Sequence, residues 1–478
     1  VARTRLLLFA LVWLSCVWFG SWSLNPNNAT RMYVGMALVE RGDARIDEYH
    51  ALTIDEAEFG GHFYMDKAPG MTLLALPAMA IADHVGPPPE YVPSTIYDSV
   101  FEHYMTVRLR LAVAMGSAVI TALAALAMHD LGLRLTGSAA SALVASLGFA
   151  LGTPIWGWST TLFGHAPVAG LFVVAVWALW CSKERRAGEG QAIRFAAIGG
   201  AAVGLAVLIE FEAALAGSVI AIWGALRLWR TDRRAALAAA SAGAATLLVP
   251  FITYNMIAFG TPFRLGYQGV VGFAGMDQGL FGLTSPKPIV LLKILVGMRR
   301  GLLWVAPILI PAFVGLWLLG RKHRGLAIML AAAALTVLLV NSAYVYWDGG
   351  HSTGPRHSVP AIGLIAIGLA PFWASLRFTW ERAATIGLLL VSVVINVMIA
   401  AANITTPDTY RFPLADPILT AWKAGALRTL PSDFLGWSPV TGATIYVAVA
   451  IILTALLSRF PTVGDRQYRQ SDDSRKLR

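Results

Sequence analysis

The chain has 478 residues, 57% of them hydrophobic and only 13% charged, with a mean hydropathy of +0.63. A soluble domain carries roughly 25% charged residues, so an ordinary soluble enzyme is excluded, and two cysteines exclude a disulfide scaffold. The formal charge of +10 would point to nucleic acid only if it gathered on one accessible surface, which depends on where along the chain it lies.

A bilayer core needs about 20 mainly apolar residues per helix. At that window the sequence predicts an all-α polytopic protein with twelve spans, near 5–24, 104–128, 137–157, 165–182, 194–209, 213–229, 236–258, 301–320, 325–345, 358–376, 383–402 and 441–458. Residues 1–24 end in no good cleavage site and are expected to be a retained first span. The apolar stretch Ala68–Ala82 contains Pro69 and Pro77 and is expected to lie at the interface. Only then do Arg3, Arg5, Arg134, the Lys183–Arg186 loop, Arg230, the Arg321–Arg324 loop and the basic tail at 459–478 fall on one side.

That alternation predicts cytoplasmic termini and a multi-pass protein, built as a single membrane domain over 1–478; Val1 at the start is compatible with a bacterial initiation codon, and a bacterial inner membrane is the expected location. It also locates the charge. Between Asn25 and Glu102 four basic residues face twelve acidic ones. The positive excess therefore lies on the cytoplasmic side, as topology demands, and no nucleic-acid partner is expected. No glycine precedes a lysine anywhere, so there is no phosphate loop of the nucleotide-driven kind.

The large loops then share the extracytoplasmic face. Loop 25–103 should carry a short helix over Thr30–Val39, with Met32, Met36 and Val39 on one face, Thr30 as N-cap and Gly42 just past the end. A turn-rich platform follows, up to Lys67-Ala68-Pro69-Gly70. Further loops cover 259–299, 344–357 and 403–440.

Two constellations could carry chemistry. In loop one, Asp47, Asp55 and Asp66 surround few bases, and Lys67 stands immediately before the interfacial helix, at headgroup depth. A carboxylate there could take a proton from an acceptor hydroxyl, and a cation could hold a phosphate. The second is Trp347-Asp348-Gly349-Gly350-His351-Ser352-Thr353-Gly354-Pro355-Arg356-His357. Its glycines let backbone approach a ligand, Arg356 offers a bidentate grip on phosphate, and Trp347 with His351 and His357 offers a flat face and donors. Arg31, His165 and Arg300 are further candidates for substrate binding, and Arg299 and Arg300 run against the charge trend of their face. Glu210 and Glu212, in a short turn between spans, read as exposed. No cysteine has a metal-ligand neighbour at useful spacing, and neither metal nor cofactor is expected.

The first span, the long loop with its short helix, and Tyr64-Met65-Asp66-Lys67-Ala68-Pro69 before an interfacial helix resemble the GT-C superfamily of glycosyltransferases. Within it the protein O-mannosyltransferase and lipid A aminoarabinose transferase group is most similar. The segments Arg300-Gly301-Leu302-Leu303 with Pro307, and Trp347–Arg356, resemble a bacterial branch of it. The resemblance implies inverting transfer of a sugar from a polyprenyl-phosphate donor to a glycan, lipid or protein acceptor on the extracytoplasmic face, among membrane lipids. It also implies an acidic base soon after the first span, where this chain has Asn25-Pro26-Asn27-Asn28. Either the base has moved, to Asp47 or Asp55, or the activity has changed, to a transporter or flippase or to a non-catalytic assembly partner.

Overall fold

The computed structural model describes residues 2–20, 24–85, 91–183 and 189–459. The expected basic tail, apart from its first residue, and residues 184–188 of one basic loop lie outside the described residues.

Each apolar stretch coincides with a helix or a bent pair of helices: Ala2–Trp18, Ser99–Met115 with Ser117–Thr136, Ala139–Ala150, His165–Cys181, Glu189–Ile209, Ala213–Trp229, Arg233–Phe259, Leu309–Lys322, Arg324–Ala343, Val359–Ala366 with Leu369–Ser375, Thr379–Ala402 and Pro439–Arg459. Lipid offers no partner to a backbone amide, so every such segment must bond within itself. Among the described residues, six helices are long and apolar enough to cross a membrane, or seven if the pair bent by 42° counts as one span. Others are cut short by local chemistry. Gly152, Thr153 and Pro154 follow the helix Ala139–Ala150, and Pro307 separates the single turn Leu302–Val305 from Leu309–Lys322. The protein is a multi-pass helical membrane protein.

Small residues set the closest packing. Helices Glu189–Ile209 and Arg233–Phe259 run together with Gly200 against Ala239 and Gly204 against Gly243, so near that an added Cβ would strike the facing backbone. Such close approach is the way helices associate in lipid, where dispersion replaces the hydrophobic effect.

Loop one differs in detail from its sequence reading. Its helix spans Pro26–Glu40, and Asn25 is the N-cap, its side chain accepting from the Asn28 amide at 3.1 Å. Thr30 lies buried inside the helix. Pro26 needs no amide partner at the first helical position, which moves the start four residues earlier. Gly42, at φ 71°, follows the cap as expected. The platform beyond contains an antiparallel hairpin, Glu56–Phe59 with His62–Met65. Its Gly60-Gly61 corner has φ of 61° and 78°, the double positive φ that a two-residue hairpin turn of this hand requires. Helix Gly70–Val85 then packs along Pro26–Glu40 and Ser99–Met115.

Backbone pairing gathers the other loops onto this platform. Val271 N–H donates to Glu56 O at 3.1 Å, Leu283 bridges Tyr344, and Thr353 N–H donates to Ile404 O at 2.9 Å. Arg5 with Asp130 at 3.2 Å and the Trp180–His323 ring pair mark the opposite end of the bundle.

Candidate active site

Four helix ends meet beneath the platform. Arg31, in the second turn of helix Pro26–Glu40, is 1% exposed. Its guanidinium donates to Asn27 O at 3.0 Å and to the Asn27 side chain, and its other end lies 3.4 Å from Glu210 Oε1. Glu210 closes helix Glu189–Ile209 and is buried, not exposed. His165, first residue of helix His165–Cys181, sets Nδ1 4.0 Å from the same oxygen. The turn before helix Val359–Ala366 brings the His357 ring to 5.0 Å from that of His165, with Nδ1 3.9 Å from Glu212 Oε1.

Lys67 and Arg356 complete the cluster. The Lys67 ammonium lies 2.5 Å from Asp66 Oδ2 and 3.3 Å from Asp55 Oδ1. The Arg356 guanidinium lies over the Phe163 ring at 5.1 Å, makes no ion pair among the described residues, and has a buried Nε without a hydrogen-bond partner. Asp55, Glu210 and Arg31 all lie within electrostatic range of it. Asp55 thus pairs with Lys67 and acts on Arg356 at longer range.

The protonation of the cluster follows from burial and from an excess of acids. Burial raises the Asp66 carboxyl above its usual range despite the Lys67 ammonium beside it, because Asp55 adds a second negative charge. For Lys67, burial favours the neutral amine, but Asp55 and Asp66 outweigh it and hold the ammonium above its ordinary range. Burial pushes Glu210 up to about 7 against the pull of Arg31. From Glu210, Glu212 and His357 an apolar cleft runs down between helices, lined by Val168, Phe172, Ala216, Val337 and Val340.

No protein-family model and no curated protein sequence matches the chain. Solved structures do. The apo form of ArnT from Cupriavidus metallidurans superposes with a TM-score of 0.52 over 95% of this chain and 76% of that one, at 14% identity. The same protein bound to undecaprenyl phosphate gives a TM-score of 0.50 over 96% and 73%, at 16% identity. The chain has the GT-C fold.

Within this GT-C fold the residues singled out by sequence divide into two groups. Arg31, Asp55, Lys67, His165 and Arg356 converge. Asp47, Arg300, Trp347 and His351 do not. Asp47 is 40% exposed in its side chain and belongs to the hairpin, accepting from the Phe63 amide at 2.7 Å and facing His62 Nδ1 at 2.7 Å. Arg300 is buried but spends its guanidinium on backbone, donating to Asp348 O at 2.9 Å, Gly350 O at 2.5 Å and Ser352 O. A guanidinium with three carbonyls already bound organises the turn and has little left for a phosphate. Trp347 packs at the rim with Arg299 and Lys293 near its ring, and His351 is exposed.

Glu210 and Glu212 were missed. Two acids in the short link between two spans were a usable signal, since the chain re-enters apolar surroundings on both sides of them. The position where the GT-C resemblance calls for an acid is taken by helix-starting amides. Asn25 caps, Asn27 accepts from Arg31, and Asn28 Oδ1 accepts from the Leu162 amide at 3.0 Å.

Proposed function

We propose that the chain is a GT-C glycosyltransferase moving a sugar from a polyprenyl-phosphate donor to an acceptor hydroxyl on the extracytoplasmic face of the membrane. The observation that carries this reading is the Arg356 guanidinium, unpaired among the described residues and within electrostatic range of Arg31, Glu210 and the Asp55 that pairs with Lys67. A phosphate suits a guanidinium short of partners, which grips it through two parallel hydrogen bonds. In support, the ArnT structure of the same fold holds undecaprenyl phosphate.

The chain's residues then have distinct tasks. Arg356 and Lys67 stabilise the negative charge that grows on the phosphate as its bond to the sugar breaks. The acceptor oxygen attacks the anomeric carbon from the opposite side, and its proton passes to a carboxylate. Of the two acids expected for that role, Asp55 lies in the cluster and Asp47 is bonded to the hairpin, so Asp55 is the base in this proposal. Its ion pair with Lys67, at 3.3 Å, orients it until an acceptor arrives. The acceptor is a glycan, lipid or protein.

The test uses the full-length protein reconstituted with a panel of polyprenyl-phosphate sugars. Wild type should consume one donor. Arg356→Ala should weaken donor binding and transfer together, and Asp55→Asn should abolish transfer while donor binding persists. No consumption of any donor, or undiminished transfer in both variants, would end the proposal.

A further inference from the structure

We infer that the groove between the helices Leu309–Lys322 and Arg324–Ala343, at the end of the bundle opposite the platform, binds an anionic glycerophospholipid of the surrounding bilayer. The two helices are joined by His323 alone. The groove between them measures about 570 Å³, within the size range of sites that hold small molecules. Phe313, Trp317 and Ile328 line it with large exposed apolar side chains, and Gly320, Ala327 and Ala331 add small residues that keep it open. A Cβ on Gly320 would meet nothing nearer than the Ala327 Cβ at 3.6 Å, so part of the space exists because that position carries no side chain.

The mouth of the groove is basic. Arg321 and Arg324 line it, with Lys322 beside them, and all three side chains are exposed. Among the described residues none of the three makes an ion pair or donates a side-chain hydrogen bond. The Arg321 guanidinium lies 4.1 Å from the centre of the Trp317 ring, an aromatic contact that leaves its donors for another acceptor. No acidic residue occurs anywhere from Leu309 to Ala343. Arg324 also opens its helix, where the helix dipole disfavours a cation, and an anion held between it and Arg321 removes that conflict.

Membrane topology by itself asks for basic residues in such a link, but it does not ask for an apolar groove beneath them. Free cations above a lipid-facing groove match a molecule with an anionic headgroup and acyl chains, and basic pockets between spans take such headgroups. The site is separate from the cluster that contains Lys67 and Arg356. Helix Arg324–Ala343 has 20 residues and is about 30 Å long. Its far end meets the outer loops, where Ala343 O accepts from the Thr284 amide at 2.9 Å. The groove therefore draws its lipid from the leaflet opposite the platform, and a donor lipid held in the cluster does not fill it.

The readout is lipid binding, which owes nothing to the transfer reaction. Full-length protein, delipidated in detergent, is offered dioleoyl phosphatidylglycerol or dioleoyl phosphatidylcholine, and bound lipid is counted by native mass spectrometry. Wild type should retain one phosphatidylglycerol in preference to phosphatidylcholine. Arg321→Ala with Arg324→Ala should weaken that retention about 20-fold, as the loss of two cations near an anionic headgroup implies. Gly320→Leu should weaken it too, by filling the groove with every cation in place. Arg377→Ala with Arg382→Ala, which removes two cations elsewhere at that end, should leave it intact. The double variant at 321 and 324 decides if Gly320→Leu fails to fold, since it alters exposed side chains only. Equal retention of the two lipids by wild type, or undiminished retention in the 321 and 324 variant, would overturn the site. So would displacement of the lipid by inorganic phosphate beyond that by chloride at equal ionic strength, the mark of a free-anion site.

Discussion

Arg300 and Arg356 are guanidiniums at the same end of the bundle, and their neighbours give them opposite roles. Arg300 is encircled by the carbonyls of Asp348, Gly350 and Ser352, so the turn is wound around it. A lysine cannot present three donors in a fixed plane. Arg300→Lys should therefore cost about 1–3 kcal/mol for each carbonyl left unpaired, read as a lower unfolding temperature of the detergent-solubilised protein. Arg356 has only an aromatic face beneath it and should tolerate loss structurally while binding suffers. From sequence the two are equivalent, because both are arginines beside glycines at a span mouth. What separates them is which carbonyls fold back within reach, and that is a property of the turn's path.

Asp47 and Asp55 are divided the same way. The Phe63 amide and His62 outweigh the burial of Asp47 and hold its carboxyl below the usual range. Its contribution to the hairpin is thus fully present above an unfolded value of about 3.9 and is lost as pH falls through its lowered one. The protection factor of the Phe63 amide, its exchange corrected for the intrinsic pH dependence, should fall on acidification in that window, and Asp47→Ala should show the lowered protection already at neutral pH. Slow exchange in that variant would mean the carboxylate holds nothing.

At the scale of elements, hydropathy located the helices well because lipid leaves a chain no alternative to self-bonded backbone. It located their ends poorly. Loop one's helix starts at an Asn-Pro pair where a threonine four residues on had seemed the cap, and the Glu56–Phe59 strand is too short and acidic to announce itself. That strand is held by its partner and by Val271, which comes from far along the chain. A similar long-range tie joins helix Ser99–Met115 to the last loop. Arg110 bonds Asp433 at 2.6 Å and the Phe19 carbonyl at 2.5 Å, with both charged side chains under 10% exposed. Asp433→Ala removes the carboxylate that pairs with buried Arg110 and, at 3.0 Å, with Arg428, and should destabilise the bundle by about 3–5 kcal/mol. Thermal unfolding checks this, and a change within error of wild type would show that solvent reaches the pair.

Across the whole molecule, the class of protein and its fold were legible in composition, span order and the Tyr64–Pro69 element. The site was legible only in part. Arg31, Asp55, Lys67, His165 and Arg356 lie on five separate segments, and their convergence follows from how helix ends stack, which no local pattern encodes. Glu210 was misread because a carboxylate between two spans is ordinarily solvated. Here the Pro26–Glu40 helix covers it and supplies Arg31 as its counter-ion. The twelve apolar stretches likewise do not translate directly into twelve crossings, since several helices are shorter than a bilayer requires.

The glycine seam between the helices Glu189–Ile209 and Arg233–Phe259 reaches further than packing. Gly204 lies six residues before Glu210 on one rigid rod, about 9 Å along its axis. A bulky side chain there would prise the rods apart and swing the carboxylate off Arg31, like a wedge driven at the foot of a lever. Gly204→Leu would then loosen the buried cluster from a distance, and a screen for variants that disturb it would rank an inert glycine beside the charged residues themselves.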